Sequence, residues 1–104
     1  MSAAPANVTT LDGYQLEALR TVNRALDSND RLLDAAAGLA EEAGEVLSHV
    51  RKHLMQGRPL DREAVALELG DALWCLSVAA DTLGVSLQDV ARRNIDKLRS
   101  RYPD

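Results

Sequence analysis

Phenylalanine is absent from this chain, and the only aromatic side chains of the benzenoid or indole type are Tyr14, Trp74 and Tyr102. A core without phenylalanine must be built from aliphatic side chains. Here Ala and Leu dominate and β-branched residues are sparse, a balance that favours helix over sheet. The single cysteine, Cys75, excludes an internal disulfide and makes a reducing cytoplasm the expected setting. Positive charge is in the minority: 12 Lys and Arg against 16 Asp and Glu leave a net charge of −4. That balance argues against a nucleic-acid partner, which calls for a basic surface, but leaves room for a nucleotide bound through a metal ion. No apolar run is long enough to span a bilayer, so no membrane partner is expected. Met1 to Thr10 shows no basic segment followed by an apolar run, and so does not read as a secretory signal.

A length of 104 residues suits one domain with a single core. Residues 1–10 are small and polar and are expected to form a flexible N-terminus, with a helical domain over 11–104. A first helix is predicted from Leu11 or Asp12 to about Asp27, with Leu16, Leu19 and Leu26 on its buried stripe. Asp30 is placed to cap a second helix from about Arg31 to Leu54 or Met55, which Gly57 and Pro59 end. Its apolar arc holds Ala36, Leu39, Ala43, Val46, Leu47, Val50 and Leu54, with Glu42 at the edge and Glu45 and His49 beside it. Asp61 caps a third helix running to about Leu83 and closed by Gly84. That helix is apolar on two sides. Val65, Leu69, Ala72, Leu73, Leu76, Ala80 and Leu83 form one face; Leu67, Trp74 and Val78 form the other. In so short a chain one layer cannot cover both, and the second face is read as a subunit interface. Ser86 opens a fourth helix, with Asp89 three residues on, and Pro103 ends it. The architecture expected is all-α, a four-helix bundle completed by dimerisation.

Two carboxylate pairs stand out, Glu42 with Glu45 and Glu68 with Asp71. Each is spaced i, i+3, which puts both members on one helical face. Most helical glutamates face water, and Glu17, Glu63 and Asp81 read that way. Glu68 and Asp71, however, are flanked on both sides by apolar residues, and an unpaired charge at a core boundary is costly. If the two helices pack together, four like charges converge, and a cation is the natural compensation. Ligation by oxygen alone suits Mg²⁺, or Mn²⁺, rather than zinc or copper. A di-iron bundle would carry Glu-x-x-His motifs, which neither His49 nor His53 supplies. Hard divalent metals of this kind serve phosphate chemistry. Lys52, Asn94, Lys97 and Arg101 could complete a phosphate site, although Lys97 and Arg101 also suit the C-terminal end of a helix for its dipole. Cys75, with no base beside it, reads as a packing residue. Trp74 points away from Glu68 on the helical wheel and is assigned to interface packing before base stacking.

Glu41-Glu42-Ala43-Gly44-Glu45 followed by Glu68-Leu69-Gly70-Asp71 resembles the Glu-Glu-x-x-Glu … Glu-x-x-Asp signature of the MazG-like nucleoside triphosphate pyrophosphohydrolases. Gly38-Leu39, Leu73-Trp74, Leu83-Gly84-Val85-Ser86-Leu87 and Asn94-Ile95-Asp96-Lys97-Leu98 … Arg101-Tyr102-Pro103 extend the likeness over about residues 13–103. Arg51-Lys52 departs from the paired lysines common in relatives. The resemblance implies a helical, Mg²⁺-dependent enzyme that hydrolyses a (d)NTP to the (d)NMP and pyrophosphate, works as a dimer or tetramer, and serves nucleotide-pool house-cleaning. It implies Glu42, Glu45, Glu68 and Asp71 as metal ligands. Glu41, adjoining that set, is the candidate general base, and Lys52, Asn94, Lys97 and Arg101 are the candidate substrate-binding residues. A dUTP- or dCTP-specific hydrolase is a narrower form of the same chemistry. The competing class is a non-catalytic helical oligomer that binds nucleotide or a protein partner.

Overall fold

The computed structural model describes residues 9–104, so most of the flexible segment expected over residues 1–10 lies outside the described residues. The described chain forms α1 (Leu11–Ala18), a 3-10 turn (Leu19–Thr21), α2 (Ser28–Gln56), α3 (Arg62–Thr82) and α4 (Leu87–Arg101). No strand occurs among these residues, and the fold is all-α, as the composition indicated. No helix of the described residues is long and apolar enough to cross a membrane.

Local signals account for most boundaries. Asp61 Oδ1 accepts from Ala64 N at 3.0 Å and Ser86 Oγ accepts from Asp89 N at 3.0 Å, so both expected caps are formed. Gly57 and Gly84 take φ of +67° and +72°, left-handed values that cost a side chain with Cβ and suit a helix stop. α2 begins a turn before Arg31, because Asp27 rather than Asp30 is its cap; Asp27 Oδ1 accepts from Asp30 N at 2.8 Å.

The first helix is shorter than the predicted run to Asp27. Thr21 turns its hydroxyl back to donate to Ala18 O at 2.8 Å, and Asn23 Oδ1 accepts from Ala25 N at 3.0 Å. Such side-chain bonds compete with the helical ladder. The Trp74 indole N–H also donates to Ala18 O at 3.2 Å and to Thr21 Oγ1 at 2.8 Å. The carbonyl left over at the end of α1 is thereby satisfied from α3.

α2 and α3 are joined through residues 57–61 and form an antiparallel hairpin, the most extensive helix pairing in the structure. α1 lies on α3, and α4 rests on α1 and α3. Buried Gln15 ties these parts together. Its Nε2 donates to Ser77 O at 3.0 Å and its Oε1 accepts from Leu87 N at 2.9 Å. Asp12 Oδ1 accepts from Gln88 N at 3.0 Å. With Ser86 on Asp89, the three leading N–H groups of α4 all have side-chain partners, two of them from α1.

The closed core is small: Ala18, Ala35, Cys75, Val78, Ala80 and Leu87, with the buried polar Gln15 and Ser77. Its placement corrects part of the assignment of the two faces of α3, on which Leu67 is open and Ala80 buried as expected. Val78, expected on an open interface, is 2% exposed, whereas Leu69 and Leu83, expected in the core, are 56% and 65% exposed. The cause is α1, which holds Trp74 and so closes the Trp74–Val78 side. Leu47 and Leu54 on α2 are likewise open. The radius of gyration is 16.3 Å, against the ~13 Å of a compact domain near this length.

Candidate active site

The antiparallel α2–α3 seam sets the site. Gly38 of α2 lies against Cys75 of α3, where a Cβ on the glycine would come within 2.9 Å of the sulfur. Moving four residues along each helix in opposite directions sets Glu42 level with Asp71. Glu68 lies one turn before Asp71 and on the same face. Carboxylate oxygens of Glu42, Glu68 and Asp71 accordingly lie within 4.8 Å of one another.

Glu42 is the strained member of this group. Its Oε2 is buried and has no hydrogen-bond partner. Desolvation, followed by the charges of Glu68, Asp71, Glu41 and Glu45, pushes its carboxyl above the usual range. Both causes disfavour the anion. A hard divalent cation would relieve both, supplying the missing partner and neutralising the like charges. An orphaned buried oxygen in an all-oxygen set fits Mg²⁺ or Mn²⁺. Glu45 lies outside the tight three-residue group, though its charge still reaches Glu42.

A cavity of about 280 Å³ opens beside these carboxylates. Glu41, Glu42 and Asp71 line one part of it, and Asp34, Ala37, Gly38, Trp74 and Cys75 line the remainder. Trp74 is therefore a wall of the cavity, which corrects its assignment to an open interface. The helical wheel of α3 alone could not show this, because α1 fixes the indole. Burial pushes the Cys75 thiol up, and the charges of Glu42, Asp34, Asp71 and Glu41 add to the shift. The thiol is held protonated, in keeping with a packing role. Tyr14 is shifted the same way by burial and then by Asp71 and Cys75, so its phenol stays a hydrogen-bond donor beside the site.

The expected polyphosphate ligands, Lys52, Asn94, Lys97 and Arg101, are exposed and are not among the residues that line this cavity. Lys52 follows Glu45 by seven residues on α2, while the other three lie on α4. Two nearby residues were not singled out from the sequence. Asp34 stands two helical turns before Glu41 and Glu42, a spacing that was available to the reading. Tyr14 is brought within range of the Asp71 and Cys75 charges by tertiary packing alone.

Helices that bring acidic pairs together across an antiparallel seam define an all-α protein with a candidate divalent-cation centre. The sequence pattern of the MazG nucleotide pyrophosphohydrolase domain matches residues 31–104, and the chain belongs to that family. The Gene 37 protein of Mycobacterium phage L5 is 37% identical over 79 residues, which cover 72% of this chain and 69% of the phage protein. The uncharacterized protein YvdC of Bacillus subtilis (strain 168) is 34% identical over 73 residues, covering 62% of this chain and 69% of the relative. No solved structure matches.

Proposed function

We propose that this protein is a Mg²⁺-dependent nucleoside triphosphate pyrophosphohydrolase that converts a (d)NTP to the (d)NMP and pyrophosphate in the cytoplasm. The observation that carries the reading is the convergence of Glu42, Glu68 and Asp71 within 4.8 Å, with one buried oxygen of Glu42 unpartnered. Membership of the nucleotide pyrophosphohydrolase family supports this reaction for the acidic site. Glu42, Glu45, Glu68 and Asp71 are the assigned ligands. Mg²⁺ held there would supply charge neutralisation and polarise the α-phosphoryl group.

The chain's own residues take the remaining roles. Glu41, on the cavity wall next to Glu42, accepts a proton from the attacking water. The oxygen of that water bonds to the α phosphorus while the bond to the α–β bridging oxygen breaks, and pyrophosphate leaves. Lys52, Lys97 and Arg101 neutralise the polyphosphate, and Asn94 donates a hydrogen bond to phosphate or sugar. All four are exposed and so free to meet a ligand from solvent. The open leucines of α3 support a homodimer as the working state.

Pyrophosphate release from a panel of nucleotides with Mg²⁺ tests the reading. Turnover is expected for at least one of them, and Glu68→Gln should abolish it while leaving the helical circular dichroism unchanged. If no nucleoside triphosphate, ribo or deoxy, is hydrolysed with Mg²⁺ or Mn²⁺, the proposal fails.

A further inference from the structure

The cavity continues beyond the carboxylates, and its far part has no role in the chemistry above. Along α2, Glu42, Gly38 and Asp34 succeed one another at four-residue intervals on one face. Along α3, Asp71 is followed on the same face by Trp74 and Cys75. Because the helices are antiparallel, both series lead away from the acidic cluster in the same direction. The Gly38–Cys75 contact fixes that register. Eight residues of helix separate Asp34 from Glu42, an axial rise of ~12 Å, which is about the reach from a nucleotide's α-phosphate to the pairing edge of its base.

Each lining group in this part has a chemistry that suits a base. Trp74 offers an indole whose orientation is set, since its N–H is held by Ala18 O and Thr21 Oγ1. An aromatic platform of that sort stacks any base. Gly38 removes bulk where the two helices close. Asp34 is exposed, lines the cavity, and has no hydrogen bond or ion pair among the described residues. An ionised carboxylate is acceptor-only. It pairs with an amino group and is repelled by a carbonyl oxygen in the same place.

We infer that the Asp34–Trp74 end of the cavity is the nucleobase subsite, and that Asp34 makes it select bases with an exocyclic amino group at C4 of a pyrimidine or C6 of a purine. The inference rests on the pyrophosphohydrolase reading for the position of the phosphates. Trp74 holds the ring by stacking and contributes little discrimination. Asp34 accepts from the amino group, as acidic side chains do from the cytosine N4 amino group. A 4-oxo or 6-oxo base sets an acceptor against the carboxylate instead.

Two nucleotide pairs that differ at this one substituent test the idea: dCTP against dUTP, and ATP against ITP. The kcat/KM of each is measured with Mg²⁺ for the wild type and for Asp34→Asn, whose carboxamide can donate as well as accept. The amino-bearing member should be favoured by about tenfold, within the range of one specific base contact. In Asp34→Asn the ratio should fall to within about twofold of unity. Asp34 is an exposed helical position, so the variant is expected to melt with the wild type. A preference in at least one pair that Asp34→Asn removes supports the subsite. No preference in either pair, or one that survives in Asp34→Asn, overturns it while leaving the hydrolase reading intact.

Should the wild type hydrolyse no nucleotide, the reaction assignment fails and the subsite is decided separately. Trp74 is the only tryptophan, so its fluorescence reports stacking directly. The monophosphates dCMP and dUMP, and AMP and IMP, are titrated with Mg²⁺ present. Tighter quenching by an amino-bearing member, lost in Asp34→Asn, supports the subsite; equal quenching or none overturns it.

Discussion

Gly38 and Cys75 face each other so closely that a methyl group on the glycine would lie 2.9 Å from the Cys75 sulfur. Real side-chain carbons do not sit at that distance, so the pair sets how near α2 and α3 approach at the cavity floor. Alanine in place of Gly38 would gain up to ~1 kcal/mol of intrinsic helix preference and lose about 1–3 kcal/mol to overpacking. The expected result is a net destabilisation of roughly 1 kcal/mol and a weaker nucleotide KM. Cys75→Ala removes the obstructing sulfur, so Gly38→Ala should cost less in that background. Urea unfolding of the two single variants and the double variant measures the coupling. Strict additivity would show that the contact is not what limits the helix approach.

Glu42 ties stability to both pH and metal. Its folded-state carboxyl titrates above the ordinary range, first through desolvation and then through Glu68, Asp71, Glu41 and Glu45. Between the ordinary value and the raised one, the folded chain holds more protons than the unfolded chain. By linkage, metal-free stability then falls as pH rises through that window. Mg²⁺ should act in the opposite sense, raising Tm above the window and having less effect below it, where Glu42 is protonated. At ten times its Kd, the ion would contribute ~1.4 kcal/mol. That corresponds to several degrees for a domain near 100 residues. Differential scanning fluorimetry across pH, with EDTA or Mg²⁺, checks both signs. Glu42→Gln should flatten the slope and remove most of the metal response; a Glu42→Gln protein with the full Mg²⁺ shift would sink the assignment.

The helices and their ends were largely legible because their determinants are local. Asp61, Ser86, Gly57 and Gly84 all act within a few residues of themselves. The shared face of Glu68 and Asp71 was legible for a related reason, since i, i+3 spacing fixes a face whatever the tertiary fold, whereas the same spacing could not show that Glu45 stays outside the group that Glu42 forms with them. Sequence reading failed where distant partners decide. α1 stops early beside the Trp74 indole, 53 residues from Thr21 in the chain. The closed side of α3 is chosen by α1, which covers the Trp74–Val78 side although the sequence puts more apolar residues on the opposite face. No periodicity could indicate that Gln15 meets Leu87, 72 residues away.

Gln15 is consequently a sensitive position for stability. Its carboxamide satisfies Ser77 O and Leu87 N in a buried setting. Gln15→Leu retains much of the bulk but strands both backbone groups, each worth about 1–3 kcal/mol when left unpaired. A loss of roughly 2–4 kcal/mol in urea unfolding is expected. Because this latch holds the start of α4, hydrogen exchange in α4 should rise more than in the middle of α2. Uniform acceleration across all helices would argue that Gln15 supports the whole fold rather than the α1–α3–α4 junction.

Leu69, Leu76 and Leu83 recur every seven residues along α3 and are all open in the single chain, at 56%, 43% and 65% exposure. Seven residues are close to two helical turns, so the three side chains form one stripe. An apolar stripe of this length is unusual on a monomer's surface and marks an interaction site. A second copy offers the same stripe to itself about a two-fold axis. Sedimentation velocity at micromolar concentration should therefore give a dimer or a multiple of one. Leu76→Glu and Leu83→Glu place charge in that contact without disturbing the closed core. Each should weaken association by at least about 30-fold, equivalent to the ~2 kcal/mol of an interface hot spot. A wild type that sediments as a monomer at these concentrations, or glutamate variants that assemble as well as the wild type, would remove the stripe from any subunit contact.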